Sequence, residues 1–209
     1  MIGAREALAR LQAGNRRFVE ERPDRSLATG QPRRQELLES QEPFAIILGC
    51  SDSRVPAELV FDQGLGDLFV IRVAGNVVAP SLVGSVEFAA DTFGTRLVMV
   101  LGHSSCGAVQ ATLAELEEPG RQHPNLHAIV DRIAPAVTEL AASELRHDPA
   151  ALMRAAVRAN IRASAGQLRH GSSLLERLIA TEGLRIVGAE YSLETGEVDV
   201  FDGIPEDGS

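Results

Sequence analysis

The sequence predicts an α/β fold: a mostly parallel central β-sheet of four to five strands covered by helices, with an N-terminal helical arm. Four short apolar runs, starting at Phe44, Asp67, Thr95 and Leu184, are nearly continuous rather than alternating, as strands buried on both faces are. Helical stretches separate these runs, so strand and helix alternate along the chain. No internal repeat or low-complexity segment breaks the pattern.

The elements follow in order. Leu8, Leu11 and Phe18 recur at helical spacing and predict a first helix over roughly 3 to 22. Pro23 to Pro32 holds Pro, Gly and charges and reads as a loop, with a short helix over roughly 33 to 41 after it. FAIILG at 44 to 49 is the first strand, DLFVIRVAG the second, TRLVMVLGH the third and LRIVGAEYS the fourth. GEVDVFD, from Gly196, can return as a hairpin through Thr195-Gly196. VGSVEFAADTF follows the second strand as a helix, and CGAVQATLAEL the third. After Pro119-Gly120, helices are predicted over roughly 124 to 146 and 149 to 170. SSLLERLIATEG ends at Gly183, a residue suited to a helix cap. Residues 1–209 read as a single domain, with 1–40 as the arm and 204–209 as a loose tail.

Composition narrows the function classes. The 209 residues suit one domain with a substantial core and are few for two. Hydrophobic and charged fractions of 44% and 23% are those of a globular chain. A net charge of -9 gives no electrostatic reason to seek nucleic acid or an anionic membrane. No stretch approaches the ~20 apolar residues of a membrane span. The opening MIGAREALARLQAGNRRF lacks the apolar block of a secretory signal, so a cytoplasmic location is expected. Cys50 and Cys106 are the only cysteines, and in a reducing compartment they are not expected to pair. They are then buried thiols or metal ligands.

The chemistry-bearing residues sit at two strand ends. The first strand runs into Cys50-Ser51-Asp52-Ser53-Arg54, and the third into His103-Ser104-Ser105-Cys106-Gly107. Ligand sites in open parallel sheets form at such carboxyl ends, beside a topological switch point. Neighbouring strands would bring Cys50 near His103 and Cys106. Two thiolates and an imidazole suit zinc, and three protein ligands leave the open position of a catalytic site. Bound zinc lowers the pKa of a water ligand to about 7. Asp52 and Arg54 flank one residue and can form a bidentate pair that keeps the carboxylate ionised. Such a carboxylate can orient a metal-bound hydroxide, or rotate onto the metal and fill its open position. The alternatives are buried core thiols for the cysteines and a structural ion pair for Asp52 and Arg54.

At these residues the chain resembles the β-class carbonic anhydrases, through CSDSRVPAELVFDQGLGDLFVIRVAGN (50–76) and LGHSSCGAVQATL (101–113). The resemblance implies reversible hydration of carbon dioxide to bicarbonate and a proton. It implies one zinc per chain on Cys50, His103 and Cys106, with Asp52 and Arg54 as catalytic dyad and Asp52 as fourth ligand in an inactive state. It implies a homodimer, often paired into a tetramer, with sites at the dimer interface and a first helix reaching across to the partner. Some members carry an inhibitory bicarbonate site of Trp, Arg and Tyr. Its Arg and Tyr positions fall on Arg72 and Tyr191, but its Trp position falls on Ile47, and the chain has no Trp. Others place a Gln in the substrate pocket, near Gln63, for which a structural loop role is the alternative.

Gly64, Gly66, Gly75 and Gly107 lie close to the site in sequence. Gly107 opens a helix, so its amide can face an anionic substrate, tight-turn geometry being the alternative. His123 and His127 read as solvated helix residues, and His147 and His170 fall at helix ends. Two rival functions share the ligand set. One is hydrolysis of carbon disulfide or carbonyl sulfide. The other is a non-catalytic zinc-stabilised interaction module, against which the intact Asp52-Arg54 pair argues.

Overall fold

The computed structural model describes residues 2–24, 30–120 and 123–204. Its strands are β1 (Ala45–Gly49), β2 (Leu68–Arg72), β3 (Leu97–His103), β4 (Arg185–Tyr191) and β5 (Val198–Asp202). They form one sheet in the order β2-β1-β3-β4-β5. The first four are parallel and β5 returns antiparallel to β4. That return uses the expected turn: Gly196 has φ 77, and its N–H donates to Ser192 O. From β1 the chain goes outward to β2, then crosses back to β3 on the other side of β1. Connections therefore diverge between β1 and β3, and a crevice opens beyond their carboxyl ends.

The helices are α1 (Ala4–Val19), α2 (Gln31–Glu36), α3 (Ala57–Val60), α4 (Pro80–Thr92), α5 (Gly107–Glu117), α6 (His127–Ala142), α7 (Pro149–His170) and α8 (Ser173–Thr181). The strands' period-two geometry gives each face its own core. Ile46, Leu48, Val98, Val100 and Ile186 pack under α4 to α8. Ala45, Ile47, Met99, Leu101, Val187 and Ala189 pack under α1 and α3. No helix among the described residues is long and apolar enough to cross a membrane.

Several boundaries differ from the sequence reading. The helix predicted over 124 to 146 is three pieces: a 3-10 turn at Pro124–Leu126, then α6, then a 3-10 turn at Glu144–His147. Ser143 breaks it by taking extended backbone, and its hydroxyl accepts from the Leu145 N–H. Asp148 then caps α7 by accepting from the N–H groups of Ala150 and Ala151. The one-turn α3 was not expected. Most of the expected tail, 205–209, and part of the first loop, 25–29, lie outside the described residues.

The N-terminal helix α1 packs on its own chain's sheet, against β1, β3 and α3. Ala7 and Leu11 are fully buried there. Buried Asn15 donates to Val60 O (3.1 Å) and Gly196 O (2.8 Å), and accepts from the Val198 N–H (2.9 Å). Gly14 permits the approach, since a Cβ there would collide with the Phe61 carbonyl oxygen. Burying Leu8 and Leu11 here contributes about 2 kcal/mol each.

A candidate metal centre at the strand ends

Cys50 follows the last residue of β1, His103 ends β3, and Cys106 precedes α5. β1 and β3 are hydrogen-bonded neighbours, so their ends meet. The two Sγ atoms and an imidazole nitrogen all lie within 4.8 Å of one another. All three residues are buried, His103 completely. Among the described residues no other three ligand-type side chains converge in this way.

The donor set fits a zinc ion. His103 Nδ1 is 2.9 Å from Ser104 O, so it holds the ring proton, and Nε2 presents its lone pair. Nε2 is buried and has no hydrogen-bond partner. An orphaned buried acceptor costs about 1–3 kcal/mol, which a cation at that spot relieves.

The thiols are already polarised. The hydrogen bond from Cys106, aided by His103 and the Gly75 N–H, outweighs burial and brings the Cys50 thiol down to about 4. Cys106, donating to Cys50 and buried, is pushed up. Without a metal the pair therefore keeps one proton. Burial opposes a charge on His103, but the adjacent Cys50 thiolate prevails and raises it.

Asp52 stands beside the cluster, held by Arg54. Arg54 Nε donates to Oδ1 (2.9 Å), Nη2 to Oδ2 (2.7 Å), and the Arg54 backbone N–H to Oδ1 (3.0 Å). These bonds hold the carboxyl well below the usual carboxylate range. Oδ2 is 3.8 Å from His103 Nε2. Arg72, expected at an anion-binding position, instead donates to Cys50 O (3.1 Å) and Asp52 O (2.6 Å) and so fixes the ligand loop.

The remaining candidates divide. The Gln63 side chain is buried, donates to Phe61 O (2.7 Å) and accepts from Arg10 Nε (3.2 Å), partners outside the cluster. Gly107 is the first residue of α5, and a Cβ there would meet nothing within 4 Å. Ile47 is core, and the Tyr191 ring centroid lies 6.5 Å from that of Phe18 on α1. His127 is 4.0 Å from Glu115, and His147 accepts from Arg146 Nε. Sequence reasoning missed Asn160. Its signal was a polar residue on the apolar stripe Val157, Ile161 and Ala165 of α7.

A family model described as carbonic anhydrase matches residues 45–198. Carbonic anhydrase 2 of Mycobacterium tuberculosis is 38% identical over 194 residues, 93% of this chain and 91% of that protein. Among solved structures, the β-carbonic anhydrase CcaA is 26% identical with TM-score 0.77, covering 94% of this chain and 96% of that one. A structure from a study of two tetrameric β-carbonic anhydrases of the ascomycete Sordaria macrospora has TM-score 0.72 at 23% identity, over 82% and 87% of the two chains.

Proposed function

The chain belongs to the β-class carbonic anhydrases, and from that premise we propose that it catalyses reversible hydration of carbon dioxide to bicarbonate and a proton. The observation that carries the proposal is the convergence of Cys50, His103 and Cys106 beside a carboxylate held ionised by Arg54. Cys50, His103 and Cys106 are the zinc ligands in this reading. Zinc so held supplies Lewis acidity, which makes a water molecule nucleophilic near neutral pH.

Asp52 does the orienting. As an ionised, acceptor-only group it takes a hydrogen bond from the attacking water and turns a lone pair toward the carbon of carbon dioxide. Arg54 keeps that acceptor charged and aimed. The burial of the cluster favours a small apolar substrate and disfavours bulk water. The Gly107 N–H at the start of α5 is the donor this reading assigns to the bicarbonate formed, the Ala108 and Val109 N–H groups facing Cys106. Asp52 turned away from Arg54 would lie within reach of the cluster and serve as a fourth ligand, a closed form that excludes substrate.

The proposal includes self-association. Phe88 is 53% exposed and packs edge-to-face on Phe93, with Phe69 alongside. An apolar patch of this kind is suited to a second copy of the chain. Metal analysis joined to stopped-flow carbon dioxide hydration tests the function. One zinc per chain with fast hydration supports it. Zinc without hydration, or with sulfide release from carbon disulfide or carbonyl sulfide alone, overturns it. Light scattering tests the oligomer, and a monomer overturns that part.

A further inference from the structure

A glycine and a distant asparagine form a relay to one ligand. The Gly75 N–H donates to Cys50 Sγ at 3.3 Å. The Gly75 carbonyl accepts from Asn160 Nδ2 at 2.8 Å, across 85 residues of sequence. Gly75 has φ 68, in the left-handed region where a side chain is strained. A Cβ there would also sit 2.8 Å from Ile133 Cδ1 and 2.9 Å from Ala108 Cβ. The turn carries the Asn76 N–H on Val73 O (3.1 Å). A residue in so permissive a conformation needs a second fixed point if its N–H is to stay on one sulfur. Asn160, 2% exposed in the middle of α7, supplies that point.

We propose that Asn160 is a positioning residue for the metal centre: by fixing the Gly75 carbonyl it keeps the Gly75 N–H on Cys50 Sγ and so limits the charge this thiolate donates to a bound metal. The inference rests on the zinc reading above. Its physical basis is that a hydrogen bond to a thiolate withdraws electron density from sulfur. Less density reaches the metal, and the ligand is held in one orientation. Partners in this outer layer tune metal sites about as strongly as some ligands do. Asn160 does so from a helix that carries no ligand, which ties the electronic state of the site to the packing of α7 on the sheet.

The test uses the full-length protein with cobalt(II) in place of zinc. Wild type should show thiolate-to-cobalt charge-transfer bands. In Asn160→Leu those bands should move to lower energy, since a more electron-rich sulfur is easier to oxidise, and cobalt affinity should fall about 10-fold. A folded Asn160→Leu protein with unchanged bands and affinity overturns the inference, even if its melting temperature drops. Absence of thiolate bands in wild type instead overturns the zinc reading itself. Should the variant not fold, NMR of the wild-type protein loaded with NMR-active cadmium decides: the Gly75 amide proton should couple to cadmium through the hydrogen bond. No coupling, with cadmium bound to both thiolates, overturns the inference.

Discussion

Arg54 holds both carboxylate oxygens of Asp52, at 2.9 and 2.7 Å, while Oδ2 of the same carboxylate stands 3.8 Å from His103 Nε2. In the proposed mechanism this side chain has two opposed duties, and Arg54 decides between them. Arg54→Ala should free Asp52 to turn onto the metal. Carbon dioxide hydration should fall by about 100-fold with zinc content unchanged. Stopped-flow rates beside metal analysis check it, and undiminished hydration would remove Arg54 from the mechanism.

The same pair predicts a pH dependence of stability. The folded carboxyl of Asp52 ionises at lower pH than an unfolded one, through its hydrogen bonds from Arg54. The stabilisation is therefore fully present above the unfolded value of about 4 and is lost as pH falls through the lower folded value. The melting-temperature difference between wild type and Asp52→Asn should be flat from about pH 8 to 5 and shrink only below about 4. A step near neutral pH would contradict this.

Metal removal should leave a single thiolate. Cys50 is down to about 4 and Cys106 is pushed up, so the metal-free protein at pH near 7 holds one ionised sulfur. Zinc added back must displace the Cys106 proton and any proton on His103. Calorimetry in two buffers of different ionisation enthalpy should register that release. Zinc uptake without proton release would show both thiols already ionised.

Gly14→Ala should loosen α1 from the sheet. The added Cβ collides with the Phe61 carbonyl, which cannot swing away as a side-chain end would. A loss of about 2 kcal/mol in urea unfolding is expected. An unaltered midpoint would mean that α1 does not rest on its own sheet in solution.

Gln63→Ala should affect stability more than substrate handling. Its amide joins Arg10 on α1 to the Phe61 carbonyl, so each lost bond costs about 1 kcal/mol. KM for carbon dioxide should be unchanged, and a raised KM would return Gln63 to the pocket.

The candidate site was legible because its residue types are rare and sit at strand ends. Cys50 and His103 could be placed from the apolar runs before them, since a buried strand ends where its polar ligands begin. The break at Ser143 was not legible, because the apolar periodicity runs on through it. Asn160 was not legible as a participant, since one polar residue in a helical stripe has many possible partners.

Periodicity and side-chain chemistry within a few residues placed the five strands and put the candidate ligands Cys50, His103 and Cys106 and the Asp52-Arg54 pair at strand ends. Tertiary structure alone decided the rest. It brought Cys50 and His103 together by pairing β1 with β3, turned Arg72 to anchor the ligand loop, folded α1 onto its own sheet, and set Asn160 behind Gly75. Those relations join residues from twenty to more than eighty positions apart in the chain, and packing rather than local preference selects them.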